Sequence, residues 1–167
     1  REKLLQKPRP APPAPRRLDT EQKSLLEYEA MALLAENGVD TPPYRFLAAG
    51  GDLRAASQDM GYPQVMKIVS PQILHKSDVG GVKLHLRDAE QAEAAYKQLE
   101  AIGQGRDFRG VVIYPQLEKG AELIVGFSRD PGFGPVVVCG MGGIYTEILK
   151  DISLRLAPVD EEEALAM

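Results

Sequence analysis

Cysteine is nearly absent from this 167-residue chain: Cys139 stands alone, so no internal disulfide can form. Its place in an apolar run reads as an inert buried thiol. No apolar run approaches the roughly 20 residues that span a bilayer. The N-terminus shows no charged-then-apolar signal peptide. The cytoplasm is the expected compartment, and no membrane partner is expected. Positive charge is not in excess either. The formal net charge is −4, which argues against a general nucleic-acid binder. There are two histidines, and no second His, Cys or carboxylate stands at zinc-ligand spacing from them, so no zinc site is expected. What is present is the balance of a soluble globular protein: 44% hydrophobic and 26% charged residues, enough for a real core in one domain, or one domain plus a tail.

The chain opens without Met, in what reads as linker, and closes on Asp160-Glu161-Glu162-Glu163-Ala164-Leu165-Ala166-Met167, a capped helix just beginning. A piece of a longer protein is the expectation. Residues 1–19 read as a Pro-rich linker, because the run Pro8 to Arg17 favours extended polyproline and cannot pack a core. A helix is expected over 21–37, with Leu25, Leu26, Met31, Leu33 and Leu34 at helical spacing and Asn37-Gly38 as its stop. Further helices are expected from Asp52 to Met60 and from the Asp88 cap to Ile102. Strands are expected at Tyr44–Ala48, Val65–Val69, Val82–Leu86, Val111–Tyr114, Glu122–Phe127, Val136–Cys139 and Leu154–Ala157. Gly140 to Gly143 reads as a glycine loop. Several strands lie too close in sequence for helical crossovers, and strands joined that way are antiparallel. The fold class is therefore α+β, an antiparallel sheet backed by helices, rather than a doubly wound sheet.

Three features could hold chemistry. Lys67 interrupts the apolar strand Val65-Met66-Lys67-Ile68-Val69, and burying an ammonium without a partner is costly. It is open to two readings: a phosphate-binding lysine, or an outward strand residue. The loop after it, Ile73-Leu74-His75-Lys76-Ser77-Asp78-Val79-Gly80-Gly81, offers Lys76, the Ser77 hydroxyl and backbone N–H groups that the Gly80-Gly81 pair could turn toward an anion. It is neither the Gly-x-x-x-x-Gly-Lys-Ser/Thr loop nor the Gly-x-Gly-x-x-Gly fingerprint. His75 is nucleophilic as a neutral imidazole and could accept a phosphoryl group, or it is a polar surface residue. His85 reads as structural. Glu147, after a glycine turn, could hold Mg²⁺, which prefers oxygen ligands, or it is solvated.

Together these residues resemble a known family. Lys67-Ile68-Val69-Ser70-Pro71, His75-Lys76-Ser77-Asp78-Val79-Gly80-Gly81-Val82, Phe133-Gly134-Pro135 and Gly142-Gly143-Ile144-Tyr145-Thr146-Glu147-Ile148-Leu149-Lys150-Asp151 are similar to the ATP-grasp domain of NDP-forming acyl-CoA synthetases. These include the ADP-forming acetate–CoA ligases and, more distantly, the succinyl-CoA synthetase β subunit. The resemblance covers about Leu25 to Val159. It implies an ATP-grasp fold with a first lobe over 20–113 and an incomplete second lobe over 114–167. It implies ATP/ADP and Mg²⁺ at this domain, with CoA bound by another. It also implies CoA-binding and ligase domains in the same chain or a partner subunit, in an oligomer when full-length. By the same resemblance, Lys67 binds phosphate, His75 accepts and passes on a phosphoryl group, and Lys76, Ser77, Gly80 and Gly81 lie over the phosphates. Val111 to Leu117 is the hinge, whose backbone holds the adenine edge, with Ile113, Tyr114 and Gln116 as nucleotide-binding residues. Glu122 is a nucleotide-binding acid and Glu147 a Mg²⁺ ligand.

The implied reaction is acyl-CoA + ADP + phosphate ⇌ acid + CoA + ATP through phosphohistidine. Two departures stand out. Where the family often reads Glu-Tyr-x-Ala-Lys, this chain has Glu27-Tyr28-Glu29-Ala30-Met31, and the chain stops before the family's late Asp-x-Asn-Pro motif. Two other readings stay open: a different ATP-grasp ligase, and a non-catalytic nucleotide- or CoA-sensing module fused to an acyltransferase.

Overall fold

The structure, a computed structural model, describes residues 24–143 and 152–167. The Pro-rich run at 8–17 and Glu147 lie outside the described residues. The chain divides into two compact units, one of residues 18–118 and one that includes 119–167. Tyr114 and Gln116 are bonded into the first unit. Among the described residues no helix is long and apolar enough to cross a membrane.

The first unit has α1 (Glu27–Glu36), β1 (Arg45–Ala48), α2 (Leu53–Met60), β2 (Gln64–Val69), β3 (Val82–Leu86), α3 (Ala89–Gly103) and β4 (Gly110–Pro115). The strands form one sheet in the order β1-β4-β2-β3, with every pairing antiparallel. Only β2 and β3 are neighbours both in the chain and in the sheet, and the loop that joins them holds no crossover helix, so their antiparallel pairing is as expected. Helix boundaries follow capping chemistry. Asp52 and Asp88 accept the Ala55 and Gln91 N–H groups at 3.1 and 2.8 Å.

The first helix starts later than expected. Leu26 is extended (φ −72°, ψ 157°), and its N–H donates to the Glu29 carboxylate at 2.8 Å, so the helix begins at Glu27. Its apolar face also differs in detail, since Leu34 is exposed while Leu26, Tyr28 and Met31 pack inward.

Side chains alternate across a strand, and here both faces of the sheet are covered. Met66 and Ile68 of β2 join Leu47, Leu86, Val111 and Ile113 in a cluster with Ala56 of α2 and Ala92, Ala95 and Leu99 of α3. Val65, Val69, Val112 and Tyr114 form the other cluster, under Leu26, Tyr28 and Met31. Met31 is part of this apolar layer. Lys67 projects on the α1 face, between Val65 and Val69.

The second unit has β5 (Leu123–Asp130), β6 (Gly134–Met141) and β7 (Ile152–Leu156) in an antiparallel sheet, then α4 (Glu161–Leu165). Asp130 makes the β5–β6 turn by accepting the Gly132 and Phe133 N–H groups at 2.8 and 2.9 Å. Those two bonds hold its carboxyl below the usual range. Gly140 and Met141, expected in a loop, continue β6, because β5 is long enough to pair them with Ile124 and Leu123. Cys139 is half-buried within that strand rather than buried. α4 has the expected capping box, Asp160 with Glu163.

Candidate functional site

A lysine on a strand covered by a helix needs a counter-charge, since an unpaired buried ammonium is unfavourable. Glu27, the first residue of α1, supplies it. Its Oε1 accepts from Lys67 Nζ at 2.8 Å and from the Tyr114 hydroxyl at 2.6 Å. Its Oε2 pairs with Lys76 Nζ at 2.9 Å. Lys67 Nζ also stands 4.8 Å from the Tyr114 ring centroid, within cation–π range. Four residues from α1, β2, β4 and the loop after β2 thus meet on one face of the sheet. A cavity of about 130 Å³ adjoins them, lined in part by Glu27, Ser70, Pro71 and Lys76.

Electrostatics follow from this geometry. Burial alone would raise the pKa of Glu27, but hydrogen bonds from Lys67, Tyr114 and Lys76 outweigh it, and the pKa falls from 4.5 to about 2. The carboxylate is therefore charged throughout the physiological range. Burial, followed by the hydrogen bond to Glu27 and its charge, pushes the Tyr114 phenol well above its ordinary range.

The loop between β2 and β3 is built from both ends. Ser70 is buried, donates its hydroxyl to the Arg106 carbonyl and accepts from Gln72 N–H at 3.0 Å. Ile73 is buried in the α2/α3 cluster. Ser77–Val79 forms one 3₁₀ turn, and Gly80 follows at φ +70°, a left-handed backbone that favours glycine. A Cβ on Gly81 would stand 2.7 Å from Ile68 Cγ2 and 2.9 Å from the Lys76 carbonyl oxygen.

The N–H groups of the two glycines themselves are engaged within the loop. Gly80 N donates to Ser77 O at 3.1 Å and Gly81 N to Lys76 O at 2.7 Å. The glycines serve the turn and the close approach to β2. Between these anchors His75 is exposed, and among the described residues it has no hydrogen-bond or ionic partner. Ser77 is exposed beside it.

Within the first unit the structure brings Lys67, Lys76 and Tyr114 together. Ile113 is fully buried in the α2/α3 cluster, on the opposite face from Lys67. Strand alternation puts its side chain there, so that side chain does not line the site. Gln116 has a structural task. Its N–H donates to Pro63 O at 2.8 Å, and its Oε1 accepts from His85 N at 3.2 Å. It thereby supports the place where β3 carries an extra residue against β2, with His85 at φ +57°. Glu122 belongs to the second unit, where its carbonyl accepts the Gly142 N–H at 2.7 Å.

Among the described residues no cluster of three His, Cys, Asp or Glu side chains is placed to hold a metal ion. Sequence reasoning gave Glu27 no role. The signal was available in its place in the Glu-Tyr-x-Ala motif and in the need of Lys67 for a partner, but the pair is 40 positions apart.

The sequence matches the ATP-grasp domain family over residues 16–167. It is 44% identical over 151 residues to the acetate–CoA ligase [ADP-forming] I subunit beta of Pyrococcus furiosus, covering 88% of this chain and 65% of that one. The fold is similar to dinucleotide-forming acetyl-coenzyme A synthetase 1 of Candidatus Korarchaeum cryptofilum in complex with coenzyme A, Ca-AMPCP and HgCl⁺. That likeness has a TM-score of 0.80 and 38% identity, over 86% of this chain and 64% of that one. The same synthetase with coenzyme A and Mg-AMPPCP, its phosphohistidine segment pointing towards the nucleotide binding site, gives a TM-score of 0.70 at 40% identity, over 87% and 62%. The chain spans a little under two thirds of the length of each of these relatives.

Proposed function

The chain belongs to the ATP-grasp domain family, and from that premise we propose that it is the nucleotide-binding, phosphoryl-transferring part of an ADP-forming acyl-CoA synthetase. The parent reaction is acyl-CoA + ADP + phosphate ⇌ acid + CoA + ATP. The observation that supports this reading is His75, exposed and without a partner among the described residues, next to Lys76, whose ammonium shares the Glu27 carboxylate with Lys67. A phosphoryl carrier must be open to its donor, and its acceptor must lie where cations neutralise phosphate charge.

In this reading an acyl phosphate forms on a CoA-binding and ligase portion, in the same chain or a partner subunit of an oligomer. A histidine there takes the phosphoryl group. The imidazole nitrogen of His75 then attacks phosphorus, and the bond to the donor histidine breaks. In the last step a terminal phosphate oxygen of ADP attacks, His75 leaves and ATP forms. Lys67 and Lys76 offset phosphate charge throughout, and the Ser77 hydroxyl adds a donor.

Tyr114 lies at the end of β4, where the hinge would hold the adenine edge through backbone groups. Ile113 would contribute to that edge by backbone alone. Glu122 is the proposed nucleotide-binding acid of the second unit, and Glu147 the proposed Mg²⁺ ligand. The ion, when bound, would neutralise charge between the phosphates. The two compact units would be the two lobes of the domain.

The test uses the full-length protein. Wild type incubated with ATP labelled at its γ-phosphate should incorporate acid-labile label at His75. The His75→Ala protein should lose both the label and ATP formation from acyl-CoA, ADP and phosphate, while still forming acyl phosphate. Near-normal ATP formation by His75→Ala would eliminate the relay through His75. A sensor module, or a ligase that forms amides without a phosphohistidine, would then be the better reading.

A further inference from the structure

We propose that Glu27 is a positioning residue that holds the ammonium groups of Lys67 and Lys76 side by side, as one clamp for a nucleotide phosphate. The proposal rests on the nucleotide-binding reading above and goes beyond it in naming what builds the phosphate site.

The argument begins with charge. Two ammonium groups brought close together repel, and a flexible loop lysine has no reason to stay beside a strand lysine. Glu27 removes that obstacle by placing one oxygen on each: Oε1 at 2.8 Å from Lys67 Nζ and Oε2 at 2.9 Å from Lys76 Nζ. Glu27, Lys67 and Lys76 together have a net charge of +1, so the clamp remains attractive to an anion.

The Tyr114 hydroxyl, 2.6 Å from Oε1, fixes the carboxylate from a third side. Each lysine uses one of its three N–H donors on Glu27, which leaves both with donors for a ligand. Side-chain exposure is 18% for Glu27, 23% for Lys76 and 34% for Lys67, so both lysines keep contact with solvent while paired to the carboxylate.

Lys76 adjoins His75 in the chain, so the same carboxylate also fixes where the imidazole begins its reach. Glu27 touches no reacting atom in this account; it acts through the lysines.

The experiment is ADP titration by calorimetry on the full-length protein and on Glu27→Gln, Lys67→Met, Lys76→Met, and Glu27→Gln in the background lacking both lysines. Glu27→Gln keeps shape and removes charge. It should weaken ADP binding by about tenfold, the scale of one charge-assisted hydrogen bond at a phosphate site. In the background without the lysines the same change should have little further effect, because its targets are gone. A merely structural residue would cost the same in both backgrounds.

Circular dichroism melts check folding. If Glu27→Gln does not fold, Glu27→Asp replaces it, with a shorter carboxylate that cannot span both lysines and so gives a partial loss with the same background dependence. Unchanged or tighter ADP binding by the folded variant, or an equal loss without the lysines, overturns the proposal and leaves nucleotide binding standing. Failure of the wild-type protein itself to bind ADP overturns the nucleotide reading and this inference together.

Discussion

Lys67 and Tyr114 donate to the same atom, Oε1 of Glu27, at 2.8 and 2.6 Å. The strand lysine is thus neutralised from α1, while the aromatic ring of its other neighbour lies 4.8 Å from the ammonium. The arrangement explains how β2 can be buried on both faces with a charge in its middle. It also ties folding to the same groups that would meet a phosphate.

Acid stability should report this carboxylate. The folded pKa of Glu27 is about 2, against an ordinary 4.5. The folded state therefore binds the proton less readily than the unfolded one. The stabilisation is complete above about pH 4.5 and is lost as pH falls toward 2. The amount is on the order of 2 kcal/mol, after allowance for partial exposure. Urea unfolding at stepped pH should show that loss in wild type and its absence from Glu27→Gln. Parallel pH profiles of the two proteins would count against the pairing.

Lys67→Ala should weaken ADP binding at least tenfold in the full-length protein, about 1.4 kcal/mol or more. It should also lower stability, because Glu27 loses one of its three donors. Calorimetry checks the first and a thermal melt the second. Unchanged ADP affinity would remove Lys67 from the site.

Gly81→Ala tests the loop's seat on β2. The new methyl would stand 2.7 Å from Ile68 Cγ2 and 2.9 Å from a backbone oxygen. Overpacking of that kind costs about 1–3 kcal/mol. The loss should appear in urea midpoints, with Gly38→Ala for comparison, where φ is +77° but no atom lies within 4 Å. Gly38→Ala reports the cost of a left-handed backbone without crowding, and an unchanged midpoint in Gly81→Ala would show that the loop yields to the methyl.

Nearly every strand was legible in the sequence, and so was the antiparallel sense of β2 and β3, because the loop that joins them holds no crossover helix; the pairings of β4 with β1 and β2 cross intervening elements and are set by packing. Lys67 was legible as an anomaly: a charge in an apolar strand must be explained. Its partner was not, since the meeting of β2 with the start of α1 depends on packing rather than spacing. The glycine pair was legible as a turn but not in its purpose. Whether an N–H faces an anion or closes a 3₁₀ turn is decided by Ser77 and Lys76 carbonyls that no pattern announces. Alternation along β4 sends the Ile113 side chain to the face away from Tyr114, which leaves only its backbone for the hinge contact that the resemblance implies.

Among the described residues, the Ser57 hydroxyl and the Gln64 amide are buried without hydrogen-bond partners. Gln64 opens β2 between Leu86 of β3 and Pro115 of β4, and its side chain is fully buried. Among the described residues, neither its Oε1 nor its Nε2 has a hydrogen-bond partner. A buried amide without partners costs about 1–3 kcal/mol relative to an apolar group of like shape. Methionine matches glutamine in length and flexibility, with no strong donor or acceptor. Gln64→Met should therefore raise the urea midpoint by an amount equivalent to about 1 kcal/mol or more, at an unchanged slope, which marks a stability change rather than a change in compactness. Because Lys67 faces α1 and Gln64 lies at the far end of the strand, ADP affinity should stay at its wild-type value. A lower midpoint would mean that the amide is satisfied in solution, and Gln64 would then be a stabilising residue instead of a tolerated cost.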